Sequence, residues 1–234
     1  NVIIIIMKSL QLHIQFFRAI SVLLVFFYHL KLDFFNFGYL GVDIFFVISG
    51  YVITTRLYEE LNKTNQINFL SFYIRRFKRI FPVLIFILTT VLIFIIFFQP
   101  LDLIIGNLSV YIFTIFGLSN LYYLFAKKDY FDNVFEDAFG HTWSLGIEEQ
   151  FYIIFPIFLF LLYNFFKKKK IQITILFLFV ISGILLTLKF SENFQLIFYS
   201  PIFRFWEFLL GSLVYFSNKN YIKKNILIST SSFL

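Results

Sequence analysis

The sequence predicts an all-α integral membrane protein, a polytopic bundle of transmembrane helices, and three observations carry that expectation. Of its 234 residues, 60% are hydrophobic, 24% aromatic and only 14% charged, whereas a water-soluble domain is about half apolar and about one quarter charged. Runs such as VLIFILTTVLIFIIFF (83–98) and ITILFLFVISGILLTL (173–188) approach the roughly 20 residues that cross a ~30 Å hydrocarbon core as helix. The ten-residue alternating segments of a membrane β-barrel are missing from the sequence.

Hydropathy places candidate spans near 14–31, 39–55, 80–98, 103–125, 147–166, 171–189 and 196–216, with the start of another at 225. Lys and Arg should gather on the cytoplasmic side. If every span crosses with the N-terminus inside, KKKK (167–170) falls outside and the loop charges divide ten inside to eight outside. If 103–125 instead dips in and returns, the division becomes fourteen inside to four outside. That segment also carries Gly106, Asn107, Ser109, Thr114, Gly117, Ser119 and Asn120, and irregular polar backbone at membrane depth needs protein or water around it. The stretch 100–142 is therefore expected on the outer side and partly re-entrant. The only methionine is Met7 and the chain stops within an apolar run, which reads as an incomplete, C-terminally truncated protein.

The absence of cysteine excludes disulfides, thiolate metal sites and cysteinyl acyl-enzyme chemistry. A net charge of +7 is expected to record orientation in the membrane and not a nucleic-acid partner. No internal repeat is visible.

The polar residues within the spans carry the functional signal, because each ionisable group costs at least ~2.5 kcal/mol at mid-bilayer. Arg18 and His29 lie eleven residues apart, within about 20° of one helix face and about 16 Å along the axis. A plainer reading has Arg18 snorkelling to phosphate headgroups and His29 bonding at the interface. Asp43 sits in the glycine-punctuated GYLGVDIFFVISGY (38–51), where small residues let helices approach closely. Arg75, Arg76, Lys78 and Arg79 crowd the cytoplasmic mouth of the third span, either as a topology anchor or as a phosphate clamp, since guanidinium forks bind phosphate bidentately. His141, Trp143, Ser144, Glu148, Glu149 and Gln150 gather at the outer mouth of the 147–166 span. Arg204 and Glu207 stand at i,i+3, the spacing of an ion pair on one helix face.

These residues fall within FRAISVLLVFFYHL, GYLGVDIFFVISGYVIT, FYIRRFKRIFP, LSNLYYL, HTWSLGIEEQFY and RFWEFLLG. In that order and spacing the chain resembles the membrane-bound acyltransferase 3 family, the O-acetyltransferases of lipopolysaccharide, peptidoglycan and exopolysaccharide. The resemblance covers nearly the whole chain. It implies a multi-pass enzyme of the bacterial inner (cytoplasmic) membrane with about ten spans, of which about seven are present. It also implies transfer of an acyl group, usually acetyl from acetyl-CoA, to a hydroxyl of a saccharide or lipid-linked saccharide, without a metal.

By the family's pattern His29 matches the catalytic histidine and Arg18 its partner. Arg76 and Arg79, with Arg75 beside them, match the motif associated with coenzyme A. Glu148 matches the acidic residue after the W-S-L turn, while Asp43, Arg204 and Glu207 are marked without a clear role; Trp143, Ser144 and Glu149 stand beside them as further candidates. Some relatives add a C-terminal SGNH-type hydrolase domain. Direct transfer with His29 as general base and a route through acetyl-His29 both remain open. The reading from another class is a transporter or exporter of a lipid-linked or acylated saccharide, for which the buried charges would form a substrate or proton path.

Overall fold

The computed structural model describes the backbone of residues 2–126 and 137–217, with side chains from Leu12 onward except Asp33. The expected start of a span at 225, and the basic residues at 127, 128, 219, 223 and 224, lie outside the described residues. The described chain folds as helices: α1 (Val2–His29), α2 (Leu40–Thr64), α3 (Phe69–Phe98), α4 (Leu101–Ile115), α5 (Ser119–Ala126), α6 (Trp143–Phe165), α7 (Lys169–Lys189), α8 (Phe194–Tyr199) and α9 (205–217). Helix is what lipid demands, because it satisfies every backbone polar group within the segment. Among the described residues five stretches are long and apolar enough to cross a membrane, within α1, α2, α3, 140–165 and α7. The protein is a polytopic helical membrane protein.

Two of the apolar candidate segments are broken. Segment 103–125 divides into α4 and α5 at Gly117, which takes φ +67°. The Gly117 amide donates to the Thr114 carbonyl at 3.0 Å and the Leu118 amide to the Phe113 carbonyl at 2.8 Å, the bond pair of a Schellman cap. The fifteen residues of α4 reach about 22 Å, short of the ~30 Å core. Segment 196–216 is interrupted as well, which corrects the expectation of one continuous span. Pro201 offers no N–H and holds Ser200 extended at φ −81°, ψ 129°. α8 therefore ends at Tyr199, a 3₁₀ turn covers Pro201–Phe203, and helix resumes at 205.

Boundaries moved too. α3 starts at Phe69 and not at 80, because Asn68 caps it: its side chain accepts the Ser71 amide at 3.0 Å. α2 runs on to Thr64 and ends at Asn65, whose φ of 56° is a left-handed value that asparagine tolerates.

The chain forms two compact units. The first comprises 1–59, 166–182 and 206–234, the second 60–165 and 183–205. In the first, α2 and α9 pack through glycine. A Cβ on Gly50 would strike the Phe208 carbonyl, and one on Gly211 the Val47 carbonyl. Phe46 stacks on Phe208 at 4.5 Å, and Thr54 donates to Ser212 at 2.8 Å. The Tyr58 hydroxyl donates to Gln172 on α7 at 2.7 Å. In the second unit α3 packs on α4, and α5 on α6 and α8. Its core is largely aromatic, with Phe139, Trp143, Phe151, Phe155 and Tyr199 buried.

Candidate functional site

The candidate residues are divided between the two units. In the first unit Arg18 and His29 both ride on α1, whose unbroken course keeps their rise of about 16 Å. Arg18 is half-buried, its guanidinium 5.0 Å from the centroid of the Phe45 ring of α2, a cation–π contact. His29 ends α1, also half-buried, with its ring edge to face with Tyr28 at 5.7 Å. Asp43 lies in the first turn of α2, where the helix dipole favours a carboxylate. Glycines fix this arrangement. A Cβ on Gly38 would run into the Leu24 carbonyl and one on Gly41 into the Ser21 carbonyl. The turn bearing Asp43 is thus set against the part of α1 between Arg18 and His29. Glu207 is only 2% exposed on α9.

In the second unit the basic residues of α3 are not equivalent. Arg75, Lys78 and Arg79 are exposed, whereas Arg76 is half-buried. The Arg76 guanidinium lies 4.2 Å from the Tyr152 ring centroid and 5.9 Å from that of Phe72. The Tyr152 hydroxyl donates to Oε1 of Glu148, one turn earlier on α6. Glu148 and Tyr152 are both buried. The Tyr73 hydroxyl, donating to the Ile153 carbonyl at 2.9 Å, ties α3 to α6 at the same level.

Glu149 and Gln150 belong to a different neighbourhood. A Cβ on Gly117 would strike the Glu149 carboxylate. Gln150 Nε2 donates to the Gly117 carbonyl and to Asn120 Oδ1, each at 2.8 Å, and Asn120 Nδ2 donates to the Tyr199 carbonyl at 3.0 Å. Ser119 Oγ donates to the Thr142 carbonyl at 2.8 Å, and the Thr114 and Thr142 hydroxyls lie 3.0 Å apart. These bonds satisfy the backbone opened at the α4–α5 break, as burial requires. His141 is exposed in the 3₁₀ turn before α6, and its carbonyl accepts Ser144 Oγ at 3.3 Å. Trp143 is buried, its ring 4.2 Å from that of Phe198 and 5.7 Å from the Arg204 guanidinium. Arg204 occupies the turn just before α9, and Glu207 lies in the first turn of that helix.

The structure thus joins Arg76 to Glu148 through Tyr152, and Gln150 to Asn120. Tyr152 is missing from the sequence candidates although its i,i+4 spacing from Glu148 signals it. Asn120 has no such signal, since its partners are 30 and 79 residues distant. Among the described residues no group of three His, Cys, Asp or Glu side chains could hold a metal ion.

Comparison with known proteins follows the same lines. Residues 12–234 match the family model described as an acyltransferase domain. O-acetyltransferase OatA of Staphylococcus aureus (strain NCTC 8325 / PS 47) is 37% identical over 220 residues, 91% of this chain and 36% of that protein. Peptidoglycan O-acetyltransferase OatA of Listeria monocytogenes is 34% identical over 203 residues, 85% of this chain and 32% of that protein. The chain therefore spans about a third of the length of these curated relatives. No solved structure gives a significant match. A family match over nearly the whole chain, on a helical membrane fold with its motif residues in the order just described, makes this chain a member of the acyltransferase 3 family.

Proposed function

We propose that the chain transfers an acetyl group from acetyl-CoA to a hydroxyl of a cell-wall glycan of the peptidoglycan type, within the bacterial cytoplasmic membrane. The acceptor follows the relatives, of which one is named for peptidoglycan. The single observation that carries the donor assignment is the basic cluster at the start of α3, with Arg76 turned inward on Tyr152 and Arg79 exposed one turn on. Arg76 and Arg79, with Arg75 beside them, bind the donor's phosphates through charge-assisted hydrogen bonds.

His29 is the general base. It takes the proton of the acceptor hydroxyl as that oxygen attacks the thioester carbonyl; the C–O bond forms, the C–S bond breaks, and the thiolate leaves and is protonated. An imidazole suits the role because it exchanges protons near neutrality. Arg18 and Asp43 flank the same stretch of α1. Glu148, held by Tyr152, is the third catalytic group.

The test is stoichiometric. Purified protein in lipid nanodiscs, given acetyl-CoA and peptidoglycan fragments, should release one thiol per acetylated sugar. Acetylated sugar without thiol release overturns the donor, and absence of both overturns the enzyme reading.

A further inference from the structure

We infer that Tyr152 is a positioning residue that uses its ring to hold Arg76 and its hydroxyl to hold Glu148, so that donor grip and carboxylate orientation depend on one side chain. This deepens the proposed function and rests on it. The ring face carries the Arg76 guanidinium at 4.2 Å while the hydroxyl of the same ring donates to Glu148 Oε1. A phenol that donates to a carboxylate gains electron density on its ring, which strengthens the attraction of that face for a cation. The two contacts therefore reinforce each other. Both Tyr152 and Glu148 are buried, where water competes weakly for either.

The contrast along α3 supports the assignment. Arg75, Lys78 and Arg79 project outward and Arg76 alone is half-buried. An arginine free to sample its rotamers loses entropy when it grips a phosphate. A guanidinium already seated on an aromatic face has lost part of that freedom beforehand, and its plane keeps donors in a fixed fork. Tyr152 is itself fixed, since it sits in mid-α6 with Phe151 packed on Phe155 beside it and with Tyr73 tied to the neighbouring Ile153 carbonyl.

The experiment measures coenzyme A binding and turnover on the protein in nanodiscs. Tyr152→Phe keeps the ring and removes the hydroxyl. Its coenzyme A Kd should rise only about twofold to threefold, the share that the hydroxyl adds to the ring face, while kcat falls at least about tenfold. Progressively fluorinated phenylalanines at position 152 keep the shape, so folding is not at issue, and weaken the ring face. The Kd should then climb with fluorination by about threefold to tenfold in all, whereas a ring that merely fills space would show no trend. In Arg76→Ala the fluorine trend should vanish.

Unchanged kcat in Tyr152→Phe, or a flat Kd across the fluorinated series, overturns the inference. If Arg76→Ala itself binds coenzyme A like wild type, the donor assignment fails. If Arg76→Ala weakens binding while the fluorinated series stays flat, only the role of Tyr152 fails.

Discussion

Asn120 on α5 accepts the side-chain amide of Gln150 on α6 at 2.8 Å and passes its own amide to the Tyr199 carbonyl at 3.0 Å. Asn120 is fully buried at 0% exposure, so Asn120→Ala removes both of these buried hydrogen bonds, at about 0.5–1.5 kcal/mol each. The variant should unfold at clearly lower temperature in detergent. An unchanged midpoint would show that water replaces the side chain.

Glycine substitutions should divide by position. Gly50→Ala and Gly211→Ala force a methyl onto carbonyls of the facing helix, and overpacking of that kind costs about 1–3 kcal/mol. Gly106→Ala, within α4, meets nothing within 4 Å and should gain about 0.5–1 kcal/mol of helix stability. Calorimetry or fluorescence melting of the three variants gives the order; equal effects would contradict the close approach of α2 and α9.

His29→Ala should abolish transfer, by about 10²- to 10⁴-fold, with expression and membrane insertion retained. Loss of a polar imidazole from a span lowers the insertion cost. A merely structural histidine would instead lose about 1 kcal/mol of stability with proportionate activity. Turnover within a few-fold of wild type in a well-inserted variant removes His29 from the mechanism.

The fold was legible wherever apolar length alone decides. α1, α2, α3, α6 and α7 are visible as hydrocarbon runs, because crossing lipid as helix needs only that. Their ends were not, since a cap such as Asn68 extends α3 through a charged stretch that hydropathy scores as loop. The break at Gly117 was foreshadowed by the polar residues around it, whereas Pro201, in an otherwise apolar run, was passed over. In the site, residue types were readable and their directions were not. Nothing in FYIRRFKRIFP says that Arg76 turns inward and Arg79 outward; that depends on where α6 lies.

Orientation follows from the distribution of basic residues. Reporter fusions near 65 and 168 should read as cytoplasmic and a fusion near 130 as external. A cytoplasmic signal at 130 would mean that the 100–142 stretch crosses or stays inside, and the charge argument would fail.

The glycine seam between α2 and α9 joins Thr54 to Ser212, 158 residues further along the chain. At about 5–20 residues per second of synthesis, α2 waits roughly 8 to 30 s for that partner. During the wait its notched face, shaped for another backbone, meets only lipid chains and whatever helices have already emerged. Crosslinking from position 50 in ribosome-arrested chains should therefore reach lipid or insertion machinery until α9 emerges, and α9 afterwards. The first unit is thus closed late in translation, by a segment made long after the helices that carry Arg18, His29 and Asp43.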